Sequence, residues 1–107
     1  MFIEHIIESI ELIEQYSEKQ TTNKFKKNIA LQDAIIRRLE IIGEAVKNIP
    51  ASFKTRNPEI PWKQMAGMRD VLIHKYFDID LSLTWSVVKR ELPSIKAKLQ
   101  ELLPEED

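Results

Sequence analysis

Cysteine is absent from this 107-residue chain, and glycine occurs only twice. Without cysteine there is no disulfide framework and no thiolate metal site. With so little glycine and no convincing alternation of apolar and polar residues, a turn-rich β architecture is excluded as well. The two histidines, His5 and His74, stand far apart in the chain, a poor start for a zinc site. No apolar run approaches the roughly 20 residues of a membrane span, and the N-terminal "MFIEHIIESIELIEQ" is punctuated by acids and reads neither as a leader nor as an anchor. An excess of one charge is also lacking. Sixteen basic against seventeen acidic side chains give a net charge of -1 and a pI near 6.1. Any polyanion contact must therefore be local rather than a whole-surface field. These absences lead us to expect a cytoplasmic protein without metal or cofactor.

What is present is helical periodicity. The pattern predicts one all-α domain over 1–107, with four main helices and one short helical turn in an up-and-down bundle. A first helix runs from about Phe2 to Glu18, with Phe2, Ile6, Ile10 and Ile13 on one face and Glu4, Glu8 and Glu11 opposite. "KQTTNK" breaks it. A second spans about Lys24 to Asn48, closed by Asn48 and Pro50. "SFKTRNP" suggests a single turn capped by Ser52, and "EIPWKQMAGMRDVLIHKY" a third long helix with Pro61 in its first turn. The last helix starts with Asp80 as its N-cap. Its stripe is Leu81, Trp85, Val88, Leu92, Ile95, Leu99 and Leu103, with a kink expected at Pro93 and a frayed tail at 104–107. At this size the apolar surface is fully buried most readily in an oligomer.

Two arginines break the patterning. At about 100° per residue, Leu31, Ala34, Ile35, Ile42, Ala45, Val46 and Ile49 form one broad face of the second helix, with Arg38 among them. Arg69 sits in the same way among Trp62, Met65, Ala66, Leu72, Ile73 and Tyr76. A buried guanidinium needs an acid, a carbonyl, a bound anion or an interface rim. For Arg38 the plain reading is an ion pair with Glu40 or Glu44. On an ideal helix His74 projects roughly 140° from Arg69 and shares a polar strip with Asp70 and Gly67. Asp70 at that spacing holds the imidazole, and Gly67 leaves room beside it. Spacing alone equally allows an exposed pair with no chemistry. Ile36 and Gly43, about seven residues apart on the otherwise polar side of the second helix, offer a second contact surface.

"GMRDVLIHKYFDIDLSLTW", with "DAIIRRLEIIGEAVKNIP" and "NPEIPWKQMA" upstream, resembles HepT, the HEPN-domain toxin of HepT–MntA toxin–antitoxin modules. The similarity covers nearly the whole chain. The HEPN hallmark is an arginine, four to six residues and a histidine, to which HepT adds a tyrosine two residues later. Here these fall on Arg69, His74 and Tyr76. The resemblance implies a HEPN-type bundle that pairs as a two-fold homodimer, with both Arg/His motifs meeting in one cleft. It implies a metal-independent endoribonuclease that acts through the ribose 2′-hydroxyl and therefore does not cut DNA. His74 is then the general acid or base, Arg69 the clamp on phosphoryl oxygens and Asp70 the orienter of His74. Arg38 and Gly67 are candidate structural or anion-site support. Tyr76 is, on periodicity, a core or interface aromatic. The resemblance makes it the acceptor of AMP from an MntA-like nucleotidyltransferase antitoxin, which silences the toxin. Arg37, Lys47, Lys63 and Lys75 are candidate phosphate contacts, although solvated surface charge explains each of them equally simply. The competing reading is a non-catalytic helical subunit that docks a nucleotidyltransferase. A plain structural bundle is the third.

Overall fold

A computed structural model describes residues 2–74 and 78–106, with the side chains of His74, Glu105 and Glu106 outside the description. The chain is an all-α bundle, built from α1 (Phe2–Ser17), α2 (Thr22–Lys27), α3 (Ile29–Lys47), α4 (Ala51–Arg56) and α5 (Trp62–Leu72), followed by α6 (Leu81–Ser86), a π-helical turn (Val87–Glu91) and α7 (Leu92–Glu106). A two-residue antiparallel pair, β1 (Ile73–His74) with β2 (Asp78–Ile79), lies between α5 and α6. α1 packs on α3 and α7, and α3 packs on α5. No described helix is long and apolar enough to cross a membrane.

The helix expected over Lys24 to Asn48 is in fact two helices. Asn28 adopts an extended conformation between them and caps α3, its Oδ1 accepting from the Leu31 amide at 3.0 Å. Asparagine competes with the helix for backbone groups, so a break there is chemically natural. Buried Gln32 holds the joint by donating to the Phe25 carbonyl at 2.9 Å. Thr21 caps α2, and Phe25 beyond it stacks on Trp85 with centroids 5.1 Å apart. Ser52 lies inside α4 rather than capping it, and Pro50 takes the N-cap position. Trp62 donates to the Asn57 carbonyl at 2.9 Å and meets the Phe53 ring edge to face, which closes the link between α4 and α5.

Asp80 caps α6 as expected, accepting from the Leu83 amide at 3.0 Å. Where a kink was expected at Pro93, the run from α6 to α7 instead takes up an extra residue in the π-helical turn, with the Leu92 amide bonding the Val87 carbonyl. A proline at position 93 lacks an N–H and crowds the carbonyl four residues back, and the wider turn relieves that crowding. The added residue rotates the stripe. Val87 and Leu102 join Val88, Leu92, Ile95 and Leu99 in the core, while Leu81, Trp85 and Leu103 are only half-buried. α7 then continues through Pro104 to Glu106, over most of the segment expected to fray. Lys96 on α7 reaches Glu14 on α1 at 2.6 Å, and that bond raises the ammonium pKa above the usual 10.5 against the opposing effect of burial.

The core side of α3 is centred on Ile35, Leu39, Ile42 and Val46, with Ile36 and Gly43 beside them. Ile36 and Gly43 are therefore not the outer contact surface expected of them. They pack within the chain, and a Cβ on Gly43 would stand 3.1 Å from the Ala66 carbonyl oxygen of α5. The two helix backbones touch here because residue 43 has no side chain. Gly43→Leu should destabilise the fold by about 1–3 kcal/mol through overpacking. Urea unfolding should show this as a lower midpoint.

Candidate functional site

α3 and α5 run antiparallel, so the contact of Gly43 with Ala66 fixes the register one turn away in each helix. Glu40 then faces Arg69, and the Arg69 Nε donates to the Glu40 carboxylate at 3.2 Å. The Arg69 Nη1 lies 3.4 Å from the Asp70 Oδ1. Arg69 is thus exposed at the edge of the α3–α5 seam and not inside an apolar arc, because α5 buries Trp62, Met65, Met68 and Leu72 instead. Glu40 is paired with Arg69 and Glu44 with Lys47 at 3.5 Å. The expected pairing of Arg38 with either acid is not formed. Arg38 is half-buried at the edge of the α3 core, facing α1.

Above the seam lies an open cleft of about 480 Å³. Arg37, Lys47 and Arg69 line it together with Glu40, Glu44 and Asp70, and Gly43 and Ala66 form part of its floor. Three cations and three carboxylates face one another, so the cleft largely neutralises itself. Arg37 and Lys47, two of the basic residues singled out from the sequence, belong to it; Lys63 does not. Gly67 borders open space, and a Cβ there would meet nothing within 4 Å.

α5 ends at Leu72, before the histidine of the motif. Ile73 is already extended, with φ −103° and ψ 114°. Ile73 pairs with Ile79 and His74 with Asp78, while the Asp80 amide closes the base on the Leu72 carbonyl at 2.7 Å. The ideal-helix projection that set His74 roughly 140° from Arg69 therefore does not apply. Arg69 and Asp70 occupy the last turn of α5, and the backbone of His74 lies in β1 beyond the helix end. The side chain of His74 and all of Lys75 and Tyr76 lie outside the described residues. Among the described residues, no group of three or more carboxylate or imidazole side chains converges as a metal-ion site.

Sequence reasoning assigned Glu40 to the wrong arginine. Gly43 was the available signal, since a glycine touching a facing helix sets which residues one turn away must meet.

The model of the Ribonuclease HepT-like family matches residues 6–102. The chain belongs to the HepT-like ribonuclease family. It is 50% identical over 101 residues to "Probable ribonuclease HepT" of Thermococcus cleftensis, covering 94% of this chain and 92% of that one. It is 38% identical over 105 residues to a "Putative RNase" of Caldanaerobacter subterraneus, covering 98% and 94%. It is also 50% identical over all 107 residues to a "Gamma-glutamylcyclotransferase and putative RNase" of Methanocaldococcus jannaschii, of which it spans 48%. No solved structure matches.

The Arg69–Glu40 pair is 46% and 37% exposed, where water screens most of its attraction. Glu40→Gln should change unfolding free energy by less than about 1 kcal/mol in urea titration. A larger loss would mean that the pair holds the bundle together rather than equipping the cleft.

Proposed function

We propose that this HepT-like protein is a metal-independent endoribonuclease, the toxin of a toxin–antitoxin module, with Arg69, Asp70 and His74 as its reacting and orienting groups. Family membership gives the ribonuclease class. The observation that carries the assignment is the placing of Arg69 and Asp70 in the last turn of α5, on an open cleft, with the backbone of His74 two residues beyond the helix end.

Such a reaction brings its own nucleophile. The ribose 2′-hydroxyl gives up its proton to a base, its oxygen bonds to the adjacent phosphorus, and the bond to the 5′-oxygen breaks as that oxygen takes a proton from an acid. The products are a 2′,3′-cyclic phosphate and a 5′-hydroxyl. An imidazole near neutral pH suits the proton transfers, and the permanently charged guanidinium stabilises the crowded phosphoryl oxygens. Asp70 orients His74. Pairing of two chains about a dyad would pool two such sets around one phosphate. Val71, 59% exposed on the same turn as Arg69, supports that pairing, as does the apolar groove it forms with Met68 and Leu83. The self-neutralised cleft favours a second reading, a non-catalytic subunit that docks a nucleotidyltransferase.

RNA cleavage in EDTA tests the first reading. Wild-type protein should cut RNA and leave DNA of matching sequence intact, and Arg69→Ala and His74→Ala should each lose at least about a hundredfold in rate while keeping wild-type helicity. Full activity in folded His74→Ala would remove the histidine from the mechanism.

Control of the toxin follows from the tyrosine. The Tyr76 oxygen attacks the α-phosphorus of ATP held by an MntA-like nucleotidyltransferase, pyrophosphate leaves, and the resulting AMP ester adds bulk and negative charge to the segment that follows His74. Incubation with that partner, ATP and magnesium should add one AMP to the mass of the chain, on the peptide carrying Tyr76. Modification mapped to another residue would overturn this assignment.

A further inference from the structure

A second groove, of about 320 Å³, lies between α1 and α3 and is lined by Phe2, His5, Glu8, Ser9, Arg38 and Asn48, with Glu8 forming no ion pair to Arg38. It is continuous with the catalytic cleft, because Ile41 and Glu44 line both. The neighbouring arginines of α3 straddle that shared ridge, Arg37 facing the cleft and Arg38 facing the second groove. From this arrangement we propose that the α1–α3 groove seats a nucleotide next to the scissile phosphate, so that single-stranded RNA crosses α3 over the Ile41–Glu44 ridge. The proposal rests on the ribonuclease reading and adds to it a binding site for the substrate strand.

Arg38 carries most of the weight. It is half-buried, and among the described residues it forms no ion pair, since Glu44 is paired with Lys47 and Glu40 with Arg69. A partly desolvated guanidinium with its planar donors unmet is built to take a phosphate in two-point fashion. Phe2, 38% exposed on the lip, offers a face on which a base stacks without regard to its identity. The Asn48 Nδ2 donates to the Glu44 carbonyl at 2.8 Å, which leaves the exposed amide oxygen of Asn48 to accept from the edge of an unpaired base. The groove therefore combines a phosphate clamp, a stacking surface and polar groups for a base edge, which is the chemistry of single-strand recognition rather than of duplex binding.

The probe is a short 5′-fluorescein oligouridylate with 2′-O-methyl riboses, which leaves no free attacking hydroxyl, titrated with the full chain by fluorescence anisotropy over a salt series. Arg38→Ala should weaken binding about five- to tenfold and lower the salt slope by about 0.7, the share of one single-strand phosphate contact. Arg38→Lys should keep the slope. Phe2→Ala should weaken binding about fivefold with the slope unchanged. Circular dichroism on each variant confirms that the bundle is intact, and Phe2→Ala and Arg38→Lys keep the test open if Arg38→Ala does not fold. Unchanged affinity and slope in folded Arg38→Ala, with Arg69→Ala weakened, would overturn the groove and leave the ribonuclease reading standing. Failure of the wild type to bind the probe also overturns the groove, and cleavage of unmodified RNA in EDTA then shows whether the ribonuclease reading falls with it.

Discussion

The backbone contact between α3 and α5 at Gly43 is the constraint on which the site depends. A side chain there would hold the helices apart, and the Ala66 carbonyl oxygen already stands 3.1 Å from where a Cβ would be. Once the helices touch at that point, antiparallel geometry decides what meets on either side. Glu40 takes Arg69, Ala66 forms the floor, and the cleft opens above. The ion pair itself adds little stability, being exposed to water. Its consequence is positional, because a guanidinium held through Nε presents the remainder of its donors outward.

The end of α5 matters as much as its register. A helix continued to Tyr76 would send His74 around the cylinder, away from Arg69. Instead α5 stops at Leu72, Ile73 and His74 pair with Ile79 and Asp78, and the Asp80 amide returns to the Leu72 carbonyl. Asp80 does two tasks here, since the same residue caps α6 through its side chain. Arg69 and Asp70 thus stand on a helical turn, and the His74 backbone stands in β1 beyond it.

Much of this was legible in the sequence, for identifiable reasons. The helical class followed from periodicity, and the Asp80 cap was correctly read. Other features were not, and three of them are tertiary effects that periodicity does not encode. The break at Asn28 needed the buried Gln32 bond, which only the packed joint supplies. The π-helical turn before Pro93 re-phased α6 against α7, so that Val87 enters the core while Leu81 and Trp85 are half-buried. The partner of Arg69 required the α3–α5 register. Arg38 and Arg69 both looked buried because the apolar arcs were drawn without Leu39 and Met68, which the structure places in the core.

The balance of charge in the cleft has a physical consequence for selectivity. Three carboxylates lower the long-range attraction for any polyanion, so the cleft does not collect nucleic acid indiscriminately. A phosphate must compete for Arg69 with Asp70 and Glu40, and these competitors are unequal. Asp70 is 79% exposed at 3.4 Å, whereas Glu40 is 37% exposed at 3.2 Å. On the ribonuclease reading, an incoming phosphoryl group would displace the looser partner first and leave Nε held by Glu40. That exchange would free Asp70 to orient an imidazole at the moment the substrate arrives. On that reading, carboxylates that look unfavourable in an RNA site would supply both the restraint on non-specific binding and the handover of the reacting groups.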